Sequence, residues 1–198
     1  MSAVKSPLLI VVSAPSGAGK STLCKRLLKD RKDIAYSVSC TTRLPRGAEK
    51  NGIAYFFLTK PDFEARIKNG DFLEYAMVHG NYYGTLKSNV VDAFVRGKSI
   101  LMDIDVVGAE KIRGIVQTLP ENDSWRKGFL DIFLLPPSLE ELKRRLEARS
   151  EDTAESIATR MKNAIAEMEK AATYQHVIIN DDLDRAYAEL CAVIDRVK

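Results

Sequence analysis

Cysteine is scarce in this chain and scattered: Cys24, Cys40 and Cys191 are the only three in 198 residues. An odd number at wide spacing does not make a disulfide framework and suits a reducing compartment. Histidine is scarcer, with only His79 and His176. No Cys or His pair has zinc-ligand spacing, and neither histidine has neighbours that suggest a nucleophilic triad. Long apolar runs are missing as well: near the N-terminus Lys5 is followed only by the run at 8–12 before Pro15, too short for a signal-peptide core or a membrane span. The cytoplasm is the expected location, without a membrane partner. Charge of one sign is also lacking, because 30 basic and 27 acidic residues leave a net +3. That balance argues against a dedicated nucleic-acid binder, so any anion site must be local. The composition fits a monomer and a homo-oligomer equally, and no internal repeat or low-complexity segment occurs.

What is present is enough for one domain with a full core, at 45% hydrophobic and 29% charged residues. Apolar runs at 8–12, 100–104 and 132–135 read as buried parallel strands, each leading into helical periodicity. In "PPSLEELKRRLEAR", Ser138 and Glu141 suit a capping box, and Leu139, Leu142 and Leu146 fall on one helical face. Strands alternating with helices predict an α/β fold, a doubly wound parallel sheet, completed by a strand at 176–180 and a helix over about 183–197. Residues 39–86 read differently. Short strand candidates "IAYFFL" and "FLEYAMV" flank one brief helix, "PDFEARIKN", ended by Gly70, which predicts an inserted β-rich unit. After the polar break "SEDTAES", a helix with the stripe Ile157, Met161, Ile165 and Met168 is expected to pack permanently or to move as a lid.

The segment "LLIVVSAPSGAGKSTL" fits a strand, a phosphate loop and a helix, in which backbone N–H groups and a helix N-terminus surround a polyphosphate. Ala14, Pro15, Ser16, Gly17, Ala18, Gly19, Lys20, Ser21 and Thr22 make up this candidate ATP loop. Lys20 is placed to reach the β- and γ-phosphates and Ser21 to ligate Mg²⁺. The first glycine of the usual pattern is Ala14 here, while Gly17 and Gly19 remain where positive φ or close phosphate approach matters most. A second Gly-Lys-Ser, in "DAFVRGKS", runs into a strand and reads as a helix-ending Gly97.

Three further groups are candidates. Asp103 and Asp105 lie at the carboxyl end of the apolar strand "SILMDID", where ligands of open α/β sheets collect, and Asp103 is a candidate Mg²⁺ holder through water. The same pair also suits caps of the following helix. Arg43, Arg46, Arg145, Arg149 and Arg160 are guanidinium forks that suit phosphate oxygens, although each taken singly reads first as a solvated surface charge. Glu74, Tyr82, Tyr83 and Thr85 offer a carboxylate, hydroxyls and ring faces for a purine edge; alone they read first as an ordinary strand with an exposed glutamate and core tyrosines.

Taken in order, "SAPSGAGKSTL", "SVSCTTRLPR", "NGIAYFF", "FLEYA", "GNYYGT", "LMDID", "LPPSLEELKRRLEAR" and "VIINDDLD" resemble the guanylate kinase family over nearly the whole chain. The resemblance implies ATP + GMP giving ADP + GDP with Mg²⁺, and a phosphate-loop NTPase core (1–38, 87–149 and 173–198), a mixed α/β GMP-binding subdomain (39–86) and a helical lid (150–172). It implies that Ser39, Arg43, Arg46, Tyr55, Glu74, Tyr83, Thr85 and Asp105 hold GMP, the two arginines and Tyr55 and Tyr83 clamping its phosphate. Lys20, Arg145, Arg149 and Arg160 would meet the transferring group, and Asn180 would lie near adenine. The family commonly has alanine where Ala14 stands. Val107 replaces its usual glutamine and Ser150 its common glycine, and residues 117–128 look longer than its usual connection. Two rivals stand beside the kinase: a related module that binds phosphopeptides without turnover, and a phosphate-loop kinase for another small phosphorylated acceptor.

Overall fold

The computed structural model describes residues 6–78, 80–148 and 154–197. In chain order the elements are β1 (Leu9–Ser13), α1 (Lys20–Asp30), β2 (Ile34–Tyr36), β3 (Cys40–Thr41), β4 (Phe56–Phe57), α2 (Lys60–Lys68), β5 (Phe72–Val78) and β6 (Asn81–Leu86). There follow α3 (Lys87–Val95), β7 (Ser99–Asp103), α4 (Val106–Thr118), the single turn α5 (Ser124–Lys127), β8 (Phe129–Leu135), α6 (Leu139–Glu147), α7 (Ala154–Met168), a 3₁₀ turn (Glu169–Thr173), β9 (His176–Ile179) and α8 (Leu183–Val197).

Five strands form a parallel sheet in the order β2-β7-β1-β8-β9. β1 lies at its centre because every residue of "LIVVS" is apolar or small and all are buried. Side chains alternate across the pleat: Ile10 and Val12 join the cluster under α1 and α8, whereas Leu9 and Val11 join the one formed with α3 and α4. Each such side chain contributes about 1.5–3 kcal/mol when fully buried. The chain leaves β1 at its carboxyl end and crosses to the edge strand β2, and β7 and β8 flank β1 on either side. The β1–α1 loop therefore opens over the sheet where ligands collect.

The second sheet is mixed, in the order β4-β3-β6-β5, with β3 and β4 parallel and the other pairs antiparallel. Its own small core stacks Phe63 between Phe72 and Tyr82, at centroid distances of 4.3 and 5.0 Å. Of "IAYFFL" only Phe56–Phe57 is strand, because Gly52 and its neighbours turn through hydrogen bonds from Ile53 and Ala54 to Lys50.

Several helix details differ from the sequence expectation. Ser138 caps α6 by accepting from the Glu141 N–H at 3.1 Å. The Glu141 carboxylate grips Arg144 and Arg145 instead of reaching back, since guanidinium forks bind it more strongly than one N–H does. Leu142 and Leu146 are fully buried but Leu139, at the exposed first turn, is not. In α7 the buried position is Ala164 and Ile165 is exposed, because only a small side chain lets α7 approach Leu142 and Leu146 closely. Beyond α7, the chain is pinned to the main sheet by Asp131: its carboxylate accepts from the Gln175 N–H at 2.8 Å and pairs with Arg113 at 2.6 Å. No described helix is long and apolar enough to cross a membrane.

Candidate active site

The loop after β1 owes its shape to two glycines in the left-handed region, Gly17 at φ 93° and Gly19 at φ 94°. A Cβ on Gly19 would stand 2.2 Å from Asn180 Nδ2, so both conformation and space demand glycine there. Asn180 is itself buried and donates to the Ala18 carbonyl at 2.7 Å, which fastens the loop to the end of β9. Ala14 and Ala18 are buried in the main core, Pro15 is buried beside them, and Ser16, Ser21 and Thr22 face outward.

Lys20 opens α1. Its ammonium lies 2.5 Å from Asp103 and donates to the Ile104 carbonyl at 3.1 Å. Burial alone would push its pKa down, but the Asp103 charge and hydrogen bond, joined by Asp105, outweigh that and hold it above the ordinary lysine range. Lys20 thus stays charged. Asp105 does two things: its Oδ1 accepts from the Gly108 N–H at 2.8 Å and so caps α4, and it also faces the cavities. The cap reading of this residue is realised, and the same side chain lines two cavities.

Three cavities meet around this loop. The first, about 260 Å³, lies between the two sheets and is lined by Lys20, Ser39, Tyr55, Glu74, Tyr83, Asp103, Asp105 and Gly108 among others. The second, about 340 Å³, runs along the loop from Ala14 to Thr22 and includes Tyr55, Asp103, Asp105 and Glu167. The third, about 500 Å³, lies between Gly17, Gly19 and Thr22 on one side and Arg144, Arg145, Ala148 and the 180–183 turn on the other.

Glu74 reaches the first cavity through the pleat of β5, where residues 74, 76 and 78 face inward and Tyr75 and Met77 face out. A register shift between Phe72 and Glu74 sets Glu74 opposite Thr85 of β6, whose hydroxyl donates to Glu74 Oε1 at 2.9 Å. Burial raises the Glu74 pKa to about 7, with Asp105 adding to the rise and the Thr85 hydrogen bond and Lys111 opposing it. Thr85 is fully buried, so the structure places it behind Glu74 and not on the cavity wall. Gly108 was not singled out in the sequence. A Cβ there would come within 3.0 Å of Glu74 Oε2, so its lack of a side chain makes room for the carboxylate.

The arginines divide. Arg43 donates to Glu49 at 3.0 Å and lies 5.4 Å from the Tyr55 ring centroid, while Tyr55 meets Tyr83 edge-on at 5.9 Å. Glu49 also accepts from the Arg46 N–H at 2.8 Å and thereby shapes this turn. Hydrogen bonds from Arg43 and Arg46 hold its pKa below the usual carboxylate range. The Arg46 side chain is exposed and lines none of the three cavities. Arg145 bonds Glu141 at 2.8 Å and the Asn180 carbonyl at 3.1 Å, whereas Arg160 reaches from α7 to the Ser16 hydroxyl at 2.7 Å. Arg149, Ser150 and His79 lie outside the described residues.

Glu167, another residue not foreseen, comes from the same helix as Arg160 and enters the loop cavity. Its only sequence signal is a spacing of seven residues from Arg160, which is two helical turns.

The guanylate kinase family model matches residues 6–197. The guanylate kinase of Fusobacterium nucleatum is 46% identical over 187 residues, covering 94% of this chain and 95% of that protein. The one from Ruegeria sp. is 47% identical over 187 residues, covering 94% of this chain and 82% of its own length. Among solved structures, the guanylate kinase of Anaplasma phagocytophilum superimposes with a TM-score of 0.76 at 31% identity, covering 96% of this chain and 86% of that one. A phosphate loop alone would leave many NTPases open, but a match of this length, joined to a second sheet that carries a buried carboxylate beside the loop, does not: the chain belongs to the guanylate kinase family.

Proposed function

We propose that the chain transfers the γ-phosphoryl group of ATP to GMP, giving ADP and GDP, with ATP on the phosphate loop and GMP in the cavity between the sheets. The observation that carries this reading is a shared wall. Lys20, Tyr55, Asp103 and Asp105 line both cavities, so a phosphorylated acceptor on one side and a polyphosphate on the other meet at the Lys20 ammonium. Phosphoryl transfer asks mainly for alignment and charge stabilisation, which cations and backbone donors supply without a nucleophilic side chain.

On this reading Glu74 accepts from guanine and is held in place by Thr85. Ser39, Tyr55, Tyr83 and Asp105 line the acceptor site, and Arg43 and Arg46 meet the GMP phosphate. Arg145, Arg149 and Arg160 serve the transferring group, and Asn180 borders the adenine side. Residues 39–86 act as the acceptor subdomain, 150–172 as the lid, and the rest as the core. Three free cysteines fit a cytoplasmic setting.

Among the described residues, no group of three or more His, Cys, Asp or Glu is placed to hold a metal. Such poverty of protein ligands suits Mg²⁺ delivered with a nucleotide, because this ion keeps waters and phosphate oxygens and takes one or two protein ligands. The exposed Ser21 hydroxyl and the Asp103 carboxylate would hold it, Asp103 partly through water. Once bound, the ion would neutralise phosphate charge.

Purified protein is expected to form ADP from ATP and Mg²⁺ only when GMP is added, as followed in a coupled assay. Binding of both nucleotides without turnover would favour the phosphopeptide module instead. A finer expectation concerns Gly108→Ala, which places a methyl group against Glu74. Forcing a methyl group into a packed site costs about 1–3 kcal/mol, so KM for GMP should rise by about tenfold or more. Helix propensity favours alanine at this position, so thermal stability should not drop in proportion. Steady-state kinetics beside a melting curve checks both, and an unchanged KM would remove Gly108 from the acceptor site.

A further inference from the structure

The helix α7 does more than cover the phosphate loop. Arg160 and Glu167, seven residues apart, project from one face: Arg160 donates to the Ser16 hydroxyl at 2.7 Å, and Glu167 lines the loop cavity together with Ser16. Glu167 is partly buried and shares its cavity with Lys20, Gly17 and Gly19. This position is enforced by packing. Ala164, Met161 and Met168 of α7 rest on Leu142 and Leu146 of α6. Those two leucines press in turn on the loop itself, where a Cβ on Gly17 would come within 3.0 Å of Leu142 and 3.1 Å of Leu146. Loop, α6 and α7 form one stack, and Glu167 is delivered by that stack.

Backbone N–H groups of a phosphate loop are donors for phosphate oxygens, and a carboxylate satisfies them with the same sign of charge. Two anions do not share one such cavity at low cost. We propose that Glu167 is a built-in competitor for the phosphate nest, a carboxylate that lines the loop cavity together with Lys20 and must be displaced for the nucleotide phosphates to seat fully. Glu167 thereby sets ATP affinity and couples nucleotide arrival to a shift of α7, the helix that also carries Arg160. Burial and the nearby Asp105 charge push the Glu167 pKa up, whereas Lys20 and the Ser16 N–H pull it down, leaving the net shift upward. Its charge is therefore incompletely compensated, as a displaceable occupant requires. The inference rests on the reading of the loop as the ATP site.

Calorimetric titration of MgATP and of magnesium pyrophosphate, without GMP, tests it on four proteins: the unmodified chain, Glu167→Gln, Glu167→Ala and Lys20→Ala. Both Glu167 variants should bind MgATP and pyrophosphate about 3- to 10-fold tighter, the range expected for losing one partly exposed charged competitor, with GMP binding within twofold. Two variants of different size separate loss of charge from loss of packing, and melting curves verify that each is folded. Unchanged or weaker binding of MgATP by both overturns the proposal. Lys20→Ala keeps the two readings apart: if it leaves MgATP affinity intact, the loop is not the ATP site; if it weakens MgATP while neither Glu167 variant tightens it, only the competitor fails.

Discussion

Lys20→Ala is expected to lower kcat by about 10²–10³-fold, the usual cost of removing one preorganised donor from a developing oxyanion, while GMP affinity changes only a few-fold. Lys20 stands on the wall between the two cavities, where transferred charge must be met, yet guanine recognition is assigned to Glu74, which lines the acceptor cavity and not the loop cavity. The structure adds a complication with a test of its own. Deleting Lys20 strips Asp103 of a cation 2.5 Å away and leaves it near Asp105, so part of any loss in stability belongs to an uncompensated carboxylate. Adding Asp103→Asn to Lys20→Ala should recover stability without recovering kcat. Rapid-quench turnover, calorimetry with GMP and thermal melting of the single and double variants decide it. Equal losses in kcat and GMP binding would mean that the two sites are misassigned.

What could be read from the sequence follows from where each constraint originates. β1, β7 and the later part of β8 were legible because strands buried on both faces become apolar runs, and the loop was legible because positive φ at Gly17 and Gly19 demands a residue type. β6 carries a strand signal only in Tyr82, Tyr83 and Thr85 and does not stand out as an element of its own. Its sequence, "NYYGTL", contains Gly84 and a run of half-buried polar and aromatic residues, so no clean period of two appears. β2 and β3, three and two residues long, carry too little pattern to show. The α7 stripe was displaced onto Ile165 because side-chain size, and not hydrophobicity, decides which residue meets α6. Within the site, Lys20 and Asp105 are marked by local context, whereas Glu74 stands out only through the resemblance of "FLEYA" to the family. Glu49, Gly108 and Glu167 are marked by neither, because each matters only through a partner brought near by the fold: the Arg43 fork, the Glu74 carboxylate and the phosphate-loop cavity.

The choice of GMP over AMP is expected to collapse in Glu74→Ala. Guanine presents two adjacent donors, N1–H and the 2-amino group, which one carboxylate can accept together; adenine has an unprotonated N1 and no amine at C2. Opposite AMP, the ionised Glu74 carboxylate would be buried against a lone pair, with Thr85 left as its hydrogen-bond donor. Sites built to hydrogen-bond a substrate reject the analogue that lacks the partner by about 10⁴–10⁵, because a buried polar group is left unpaired. Removing Glu74 should therefore lower kcat/KM for GMP steeply while scarcely improving AMP, since alanine offers adenine nothing in return. Acidity supplies a second signature. With its pKa at about 7, Glu74 is increasingly protonated as pH falls below neutrality, and a protonated carboxyl cannot accept from both guanine donors. The kcat/KM for GMP should thus fall on the acid side with an apparent pKa near 7 in the unmodified protein. Phosphate monoesters lose their second proton near pKa 6, so GMP contributes a lower-lying limb of its own. Only the limb near 7 should vanish in Glu74→Ala. Rate profiles for GMP and AMP from pH 5.5 to 8.5 on both proteins, with pH limits set by about 1.5 units either side of that midpoint, provide the decision. A variant that keeps both the GMP-to-AMP ratio and the limb near 7 would show that another group reads the base.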